Sequence, residues 1–281
     1  MKKNNFKILA GITTYNPNIE LLTNTIKSII RQVDKTIIVD NGSNNISEIR
    51  KKIPDDVYLI ENNKNYGIAY SLNRILDYCI KNNYTWFITL DQDSICDENI
   101  IKNYIKYIDD GIGQLTCIIQ DCKFGVKFGK QKNLDREYED VMDCITSGSL
   151  NNTNAIQKIQ GYNESLFIDG VDFDISLRLI NNGFIIRKIN RIYLLHNEGN
   201  GKNIEVFGKS LKLANHEPWR NYYARRNMIY ISRKQLNGLE KFKQILKQIL
   251  YAIGTIVLED RKIDRIKYNI KGIIDGFRKE F

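Results

Sequence analysis

Four short apolar runs in the first ninety residues, separated by segments of helical or turn character, constrain this chain more than any other feature. The runs are 7–14 (KILAGITT), Lys35–Asp40 (KTIIVD), 57–61 (VYLIE) and 86–90 (WFITL). Between and after them, 19–33, Ile68–Lys81 and 98–108 carry apolar residues at helical spacing. Strands and helices alternating at this length predict an α/β fold on a mostly parallel sheet. Further on, 112–142 reads as shorter strands and a loop, 154–159 and 172–180 as helices, and 185–189 and 192–195 as strands. From Trp219 the chain is helical and basic.

In a parallel sheet the C-terminal strand ends line one edge, and open α/β folds bind their ligands there. Here that edge would carry Thr13-Thr14-Tyr15-Asn16, Asp40-Asn41-Gly42-Ser43, the 62–67 turn and Asp91-Gln92-Asp93. Good turn chemistry alone accounts for Asn41-Gly42. It accounts poorly for Asp91 and Asp93, which directly follow a buried strand. Residues i and i+2 of such a turn project to one side, so the two carboxylates can share a divalent cation or divide between cation and ribose. Hard oxygen ligands with open positions suit Mg²⁺ or Mn²⁺ held jointly with a diphosphate.

The chain has two histidines, His196 and His216, too few for a His-rich zinc site. His196 ends a strand-like run before Asn197-Glu198-Gly199 and is a candidate nitrogen ligand to the same cation. Asp169, Asp172 and Asp174 cluster where a helix begins. One acid there serves as a cap; the surplus leaves a candidate general base. No phosphate-binding G-x-x-x-x-G-K-[ST] loop, no G-x-G-x-x-G after the first strand and no G-x-S-x-G elbow is present, which argues against a P-loop nucleotidase, a dinucleotide enzyme and a serine hydrolase.

Taken in order, these motifs resemble family 2 glycosyltransferases: Thr13 to Asn16, Val39 to Ser43, Asn65-x-Gly67-x-Ala69 with Asn73, Asp91-Gln92-Asp93, and the acceptor-side segment 161–178. His196, Arg220-Asn221-Tyr222-Tyr223 and Arg226-Asn227 resemble the rhamnosyltransferase branch, which elongates bacterial surface polysaccharides. The likeness spans about residues 7 to 234. It implies a GT-A fold and inverting transfer from a UDP- or dTDP-linked sugar, with dTDP-rhamnose or a UDP-hexose as donor. The acceptor would be a saccharide or lipid-linked saccharide. It also implies roles for particular residues. The Thr13–Tyr15 loop and Asp40 hold the pyrimidine, and Asn73 borders the nucleotide pocket. Asp91 takes ribose or metal-bound water, while Asp93 and His196 lie at the Mn²⁺ or Mg²⁺ ion. Asp172 is the catalytic base and Arg226 a diphosphate ligand. Val171 stands where the family often has Glu, which leaves Asp169 and Asp174 as alternatives to Asp172. The corresponding domains are a catalytic domain at 1–234, divided into donor-binding (1–110) and acceptor-binding (111–234) halves, and a basic helical extension at 235–281.

Charge is uneven. From Arg233 to the end, twelve Lys/Arg stand against six Asp/Glu, a net +6 of the chain's +9. Apolar residues at helical spacing in 241–258 and 261–281 predict amphipathic helices that lie on an anionic membrane or pack on the body or on a second copy. The N-terminus lacks a long apolar run and no run approaches ~20 residues, the length that spans a bilayer. The expected place is therefore the cytoplasm, at the inner face of the membrane. Five cysteines (Cys79, Cys96, Cys117, Cys122, Cys144) without a CxxC pair read as buried free thiols. A basic nucleic-acid-binding protein is the competing class, but it leaves the acidic strand ends unexplained, and no nucleic-acid partner is expected.

Overall fold

The computed structural model describes residues 6–121, 125–128, 136–196, 202–206, 209–213 and 216–280. In chain order its elements are β1 (Ile8–Thr14), α1 (Ile19–Ile29), β2 (Lys35–Asp40), α2 (Ile46–Lys52), β3 (Tyr58–Glu61), α3 (Ile68–Lys81), β4 (Trp86–Asp91), β5 (Ser94–Cys96) and α4 (Ile100–Ile105). There follow β6 (Ile112–Asp121), β7 (Gly125–Phe128), β8 (Tyr138–Asp140), β9 (Ser149–Asn152), α5 (Thr153–Lys158), α6 (Val171–Asn181) and β10 (Ile185–His196). The chain ends with β11 (Lys202–Val206), β12 (Lys209–Leu213), α7 (Pro218–Gln235), α8 (Gly238–Leu258) and α9 (Lys262–Arg278).

The described strands other than β11 and β12 form one sheet in the order β3-β2-β1-β4-β9-β6-β10-β5, with β7 on β6 and β8 on β10. The ladders β3-β2-β1-β4 and β6-β10 are parallel, whereas β9 and β5 run antiparallel to their neighbours. Strand β1 is buried along its whole length, as expected of a central parallel strand covered on both faces. Ile8, Ala10, Ile12, Ile38, Ile88 and Leu90 form its part of the core. Helix α1 starts where the Asn18 side chain accepts from the Glu20 and Leu21 amides, a side-chain N-cap. Its periodic pattern reaches Val33, but the helix stops at Ile29. Helix α4 is likewise shorter than 98–108 suggests.

Two features of this sheet position the functional residues. The parallel register sets Thr14 beside Asp40, Asp40 beside Glu61 and Thr13 beside Asp91, so the four polar strand ends share an edge. The segments 185–189 and 192–195 are one strand, β10, whose register against β6 shifts between Ile189 and Tyr193. That shift is a β-bulge.

The chain divides into two units. The first holds 1–164 and 175–197, with the large sheet; the second holds 165–174 and 198–281. The division falls inside α6 and groups α7 with α8 and α9. The reason is close packing. A Cβ on Gly272 would lie 2.6 Å from the Tyr222 carbonyl oxygen, and one on Gly276 2.8 Å from that of Arg226, so α9 runs against the backbone of α7.

Candidate active site

In the first unit, three loops are tied into one rim. The Asp40 carboxylate, almost fully buried, accepts from the Thr14 hydroxyl (2.9 Å), the Gly42 amide (3.0 Å), the Ser43 amide (2.8 Å) and the Ser43 hydroxyl (2.5 Å). Four donors fill the sites of a carboxylate. Asp40 therefore orders its own turn. Asn16, at φ 47°, accepts from the Asn44 amide, and its own amide donates to the Ser43 hydroxyl. The side-chain oxygen of Asn41 accepts from Asn62 and from the Tyr66 amide, and its amide group donates to Asn65. Gly42 sits at φ +81°, and a Cβ there would meet the Lys64 backbone at 2.6 Å.

The Asp91–Asp93 turn joins this rim. Gln92 accepts from the Tyr15 amide through its side chain (2.9 Å) and from the Thr25 hydroxyl through its carbonyl (3.1 Å). Tyr15 itself is exposed and Thr13 buried. The Asp91 amide donates to the Ser147 hydroxyl, which is 2.8 Å from that of Ser94. Burial, with the Asp93 charge added, pushes the Asp91 carboxyl up to about 7. Burial also raises Asp93, against the opposing pull of His196. The third residue arrives through the antiparallel rung that pairs Ser94 of β5 with His196 of β10. His196 Nδ1 lies 3.0 Å from the Ser94 hydroxyl and 3.8 Å from Asp93 Oδ1. Asn197, Glu198 and Gly199, which follow it, lie outside the described residues.

Among the described residues no three His, Cys, Asp or Glu gather closely enough to hold a metal by themselves. The donor set that does exist, two mutually repelling carboxylates near an imidazole, fits a hard divalent cation that completes its shell from a bound ligand. A cation there would offset the burial and the Asp93 charge that together raise Asp91.

Asn73 is committed within the same unit. Its amide group donates to the Tyr162 carbonyl (2.9 Å) and to Glu164 (2.7 Å), and its oxygen accepts from the Tyr162 amide (2.8 Å). It pins the 161–164 segment to α3.

In the second unit lie the three candidate bases and the Arg226-Asn227 pair. Asp169 is ion-paired with Arg220 at 2.7 Å, and Asp174 is buried and accepts from Gln235 at 2.5 Å. Asp172 is half-buried, in the first turn of α6. Leading into it, Phe167 (φ 63°), Asp169 (φ 62°) and Gly170 (φ 81°) adopt left-handed backbone, which costs a non-glycine residue roughly 1–3 kcal/mol. Helix α7 holds this path in place. Asn227 donates to the carbonyls of Leu166, Ile168 and Asp169 at 2.7–2.8 Å. Buried Arg226 donates to the carbonyls of Ser165 (2.6 Å) and Leu166 (3.1 Å) and to Asn227 (2.7 Å), with its guanidinium over Tyr223. The guanidinium thus ties α7 to the loop.

Ser147 and the side-chain roles of Gln92 and Ser43 were not foreseen. Ser147 lies in Thr146-Ser147-Gly148-Ser149, a polar turn before an unforeseen strand, so no periodicity marked it.

Residues 10–170 match the family described as Glycosyl transferase family 2. The Shigella flexneri dTDP-rhamnosyl transferase RfbF is 27% identical over 290 residues, covering 98% of this chain and 96% of that protein. The fold is shared with S. aureus TarS 1–349 at a TM-score of 0.59 and 13% identity, over 97% of this chain and 81% of that one. It is also shared with GalNAc-T7, in a structure with UDP, GalNAc and Mn²⁺, at 0.61 and 13%, over 99% of this chain and 57% of that one. With the matched segment exceeding half its length, and with the strand-end motifs falling inside it, this chain belongs to glycosyl transferase family 2 and is a glycosyltransferase with a GT-A fold.

Proposed function

We propose that the enzyme transfers a sugar, with inversion, from a pyrimidine nucleotide-sugar to a saccharide acceptor, in the elongation of a bacterial surface polysaccharide. The observation that carries this reading is the Asp91–Asp93 turn at the end of β4, with His196 Nδ1 of β10 3.8 Å from Asp93 Oδ1. dTDP-rhamnose is the preferred donor, supported by the near full-length likeness to a dTDP-rhamnosyl transferase. A UDP-hexose is the alternative, supported by structural neighbours bound to UDP and to UDP-GlcNAc. The acceptor is lipid-linked where the enzyme works at the inner face of the cell membrane. Donor binding is assigned to 1–110, acceptor binding to 111–234 and membrane contact to 235–281.

Tyr15 and Thr13 face the pyrimidine, and Asp40 shapes that pocket through the turn it orders. Asp91 takes the ribose or metal-bound water, and Asp93 with His196 would hold Mn²⁺ or Mg²⁺, whose charge offsets that of the diphosphate. The base is Asp172. This is the role the family likeness implies for it, and it lies half-buried in the first turn of α6. Asp172 takes the acceptor hydroxyl proton as that oxygen bonds to the anomeric carbon. The bond to the diphosphate oxygen breaks on the opposite face, and the nucleoside diphosphate leaves with the electron pair. Arg226 and Asn227 act as positioning residues, by fixing the backbone that leads to Asp172.

The test is calorimetric titration with dTDP and UDP, with and without Mn²⁺, on the wild-type enzyme and on Asp93→Ala. Binding that needs the cation and disappears in the variant is expected. Equal, cation-independent binding by both proteins would remove the assignment of Asp93.

A further inference from the structure

The two C-terminal helices are turned inside out. Along α8, Phe242, Leu246, Ile249, Leu250, Ile253 and Val257 are exposed, Phe242 at 63%. Along α9 the same holds for Ile263, Ile266, Ile270, Ile274 and Phe277, with Ile263 at 84%. In each helix these positions fall within about one third of the circumference at 100° per residue, so each forms a single apolar stripe. The residues packed inward are polar or small: Gln248 is 2% exposed, Arg265 2% and Asn269 1%. Arg265 is ion-paired with Glu259 at 2.5 Å and donates to the His216 carbonyl. Asn269 donates to the Thr255 hydroxyl and the Arg265 carbonyl. Buried polar groups that are bonded in this way hold the hairpin in its orientation. The apolar stripes are therefore its intended outer face, and water is a poor neighbour for a surface of that extent.

Charge decides what covers this face. Lys243 and Lys247 border the stripe of α8 and Lys267 that of α9, with Lys271 farther round the helix, its ammonium 5.4 Å from the Tyr222 ring centroid. Of the acidic groups nearby, Asp264 pairs with Arg261, Asp275 with Lys279 and Glu280 with Lys234, while Glu240 pairs with Lys243 at 3.4 Å on the exposed surface. In a two-fold dimer the same patch meets itself, which would bring lysine rows of like sign together. An anionic bilayer accepts both the apolar stripe and its lysines, whose stems lie along apolar surface while their heads reach the phosphates. No described helix is long and apolar enough to cross a membrane, so the contact is one of lying on the surface.

We propose that the outer face of the α8–α9 hairpin is an interfacial membrane-docking surface selective for anionic lipid headgroups. This deepens the reading of a lipid-linked acceptor, but its evidence is independent of the chemistry. The experiment is co-sedimentation of the full chain with vesicles of phosphatidylglycerol and phosphatidylethanolamine, and with vesicles of phosphatidylcholine alone. Two variants accompany it: Phe242→Ser/Leu250→Ser/Ile270→Ser, and Lys243→Gln/Lys247→Gln/Lys267→Gln/Lys271→Gln. The wild type should bind anionic vesicles at least about tenfold better than neutral ones. The apolar variant should lose most binding to both. The lysine variant should lose about fivefold per lysine on anionic vesicles, from about 1 kcal/mol each, and little on neutral ones. Because all substitutions are on exposed positions, circular dichroism should be unchanged. Sugar transfer to a water-soluble acceptor should persist in every variant, so its absence would count against the glycosyltransfer reading alone. Equal sedimentation of wild type and apolar variant overturns the docking proposal. So does dimerisation in light scattering that the apolar variant abolishes and anionic vesicles leave intact.

Discussion

Asp172 is the residue on which the chemistry most depends. Asp172→Asn should keep nucleotide affinity within about twofold and lower kcat by about 10²–10⁴, the usual contribution of a general base. Full activity in that variant, with loss in Asp169→Asn or Asp174→Asn, would move the role. Gly42 offers a different test, because its constraint is steric. At φ +81°, with the Lys64 backbone 2.6 Å from any Cβ, Gly42→Ala should destabilise the protein by about 1–3 kcal/mol, read as a lower Tm. Residue identities at the strand ends were legible in the sequence because turn-forming and acidic side chains stand out against buried strands. Their partners were not. That Asp40 spends its acceptor sites on Thr14, Gly42 and Ser43, and Arg226 its donors on Ser165 and Leu166, depends on loop geometry that spacing does not encode.

Among elements, the strands through β4 and the helices α1 and α3 were readable because a buried parallel strand and an amphipathic helix have different periods, whereas the seven-residue α2, which buries Ile49, carries no periodic stripe. Strands β5 and β9 escaped notice: Ser94–Cys96 and Ser149–Asn152 are short, and their polar residues are buried through hydrogen bonds rather than by apolar character. The end of α1 was misplaced for the complementary reason, since apolar spacing continues into the turn after Ile29. At this scale the revealing element is α7 against the 165–170 path. Asn227→Ala removes three hydrogen bonds to carbonyls of that path, and each buried acceptor left unpaired costs about 1–3 kcal/mol. The expected result is a fall in kcat with unchanged calorimetric affinity for the nucleotide. Arg226→Lys should behave likewise, because an ammonium cannot reproduce the fork that reaches Ser165, Leu166 and Asn227. Weakened nucleotide affinity in Arg226→Lys, with kcat preserved, would instead return Arg226 to the diphosphate.

For the molecule as a whole, ligand binding should report on the first unit in particular. With Mn²⁺ and nucleotide at about a hundred times its Kd, linkage adds about 2.7 kcal/mol of stability. Hydrogen exchange should therefore slow at 13–16, 40–43 and 91–94, and change little along α8 and α9. Slowing confined to the C-terminal helices would place the nucleotide elsewhere. The bulge in β10 has one more consequence, for the insertions and deletions that natural variation can tolerate here. Side chains in a strand alternate between faces, and the shift between Ile189 and Tyr193 sets the parity of all that follows, down to the rung where His196 meets Ser94. Loss of a single residue from 190–192 would turn His196 to the other face of the sheet. Chain length across these three positions is thus as much a part of the site as the identity of the histidine itself.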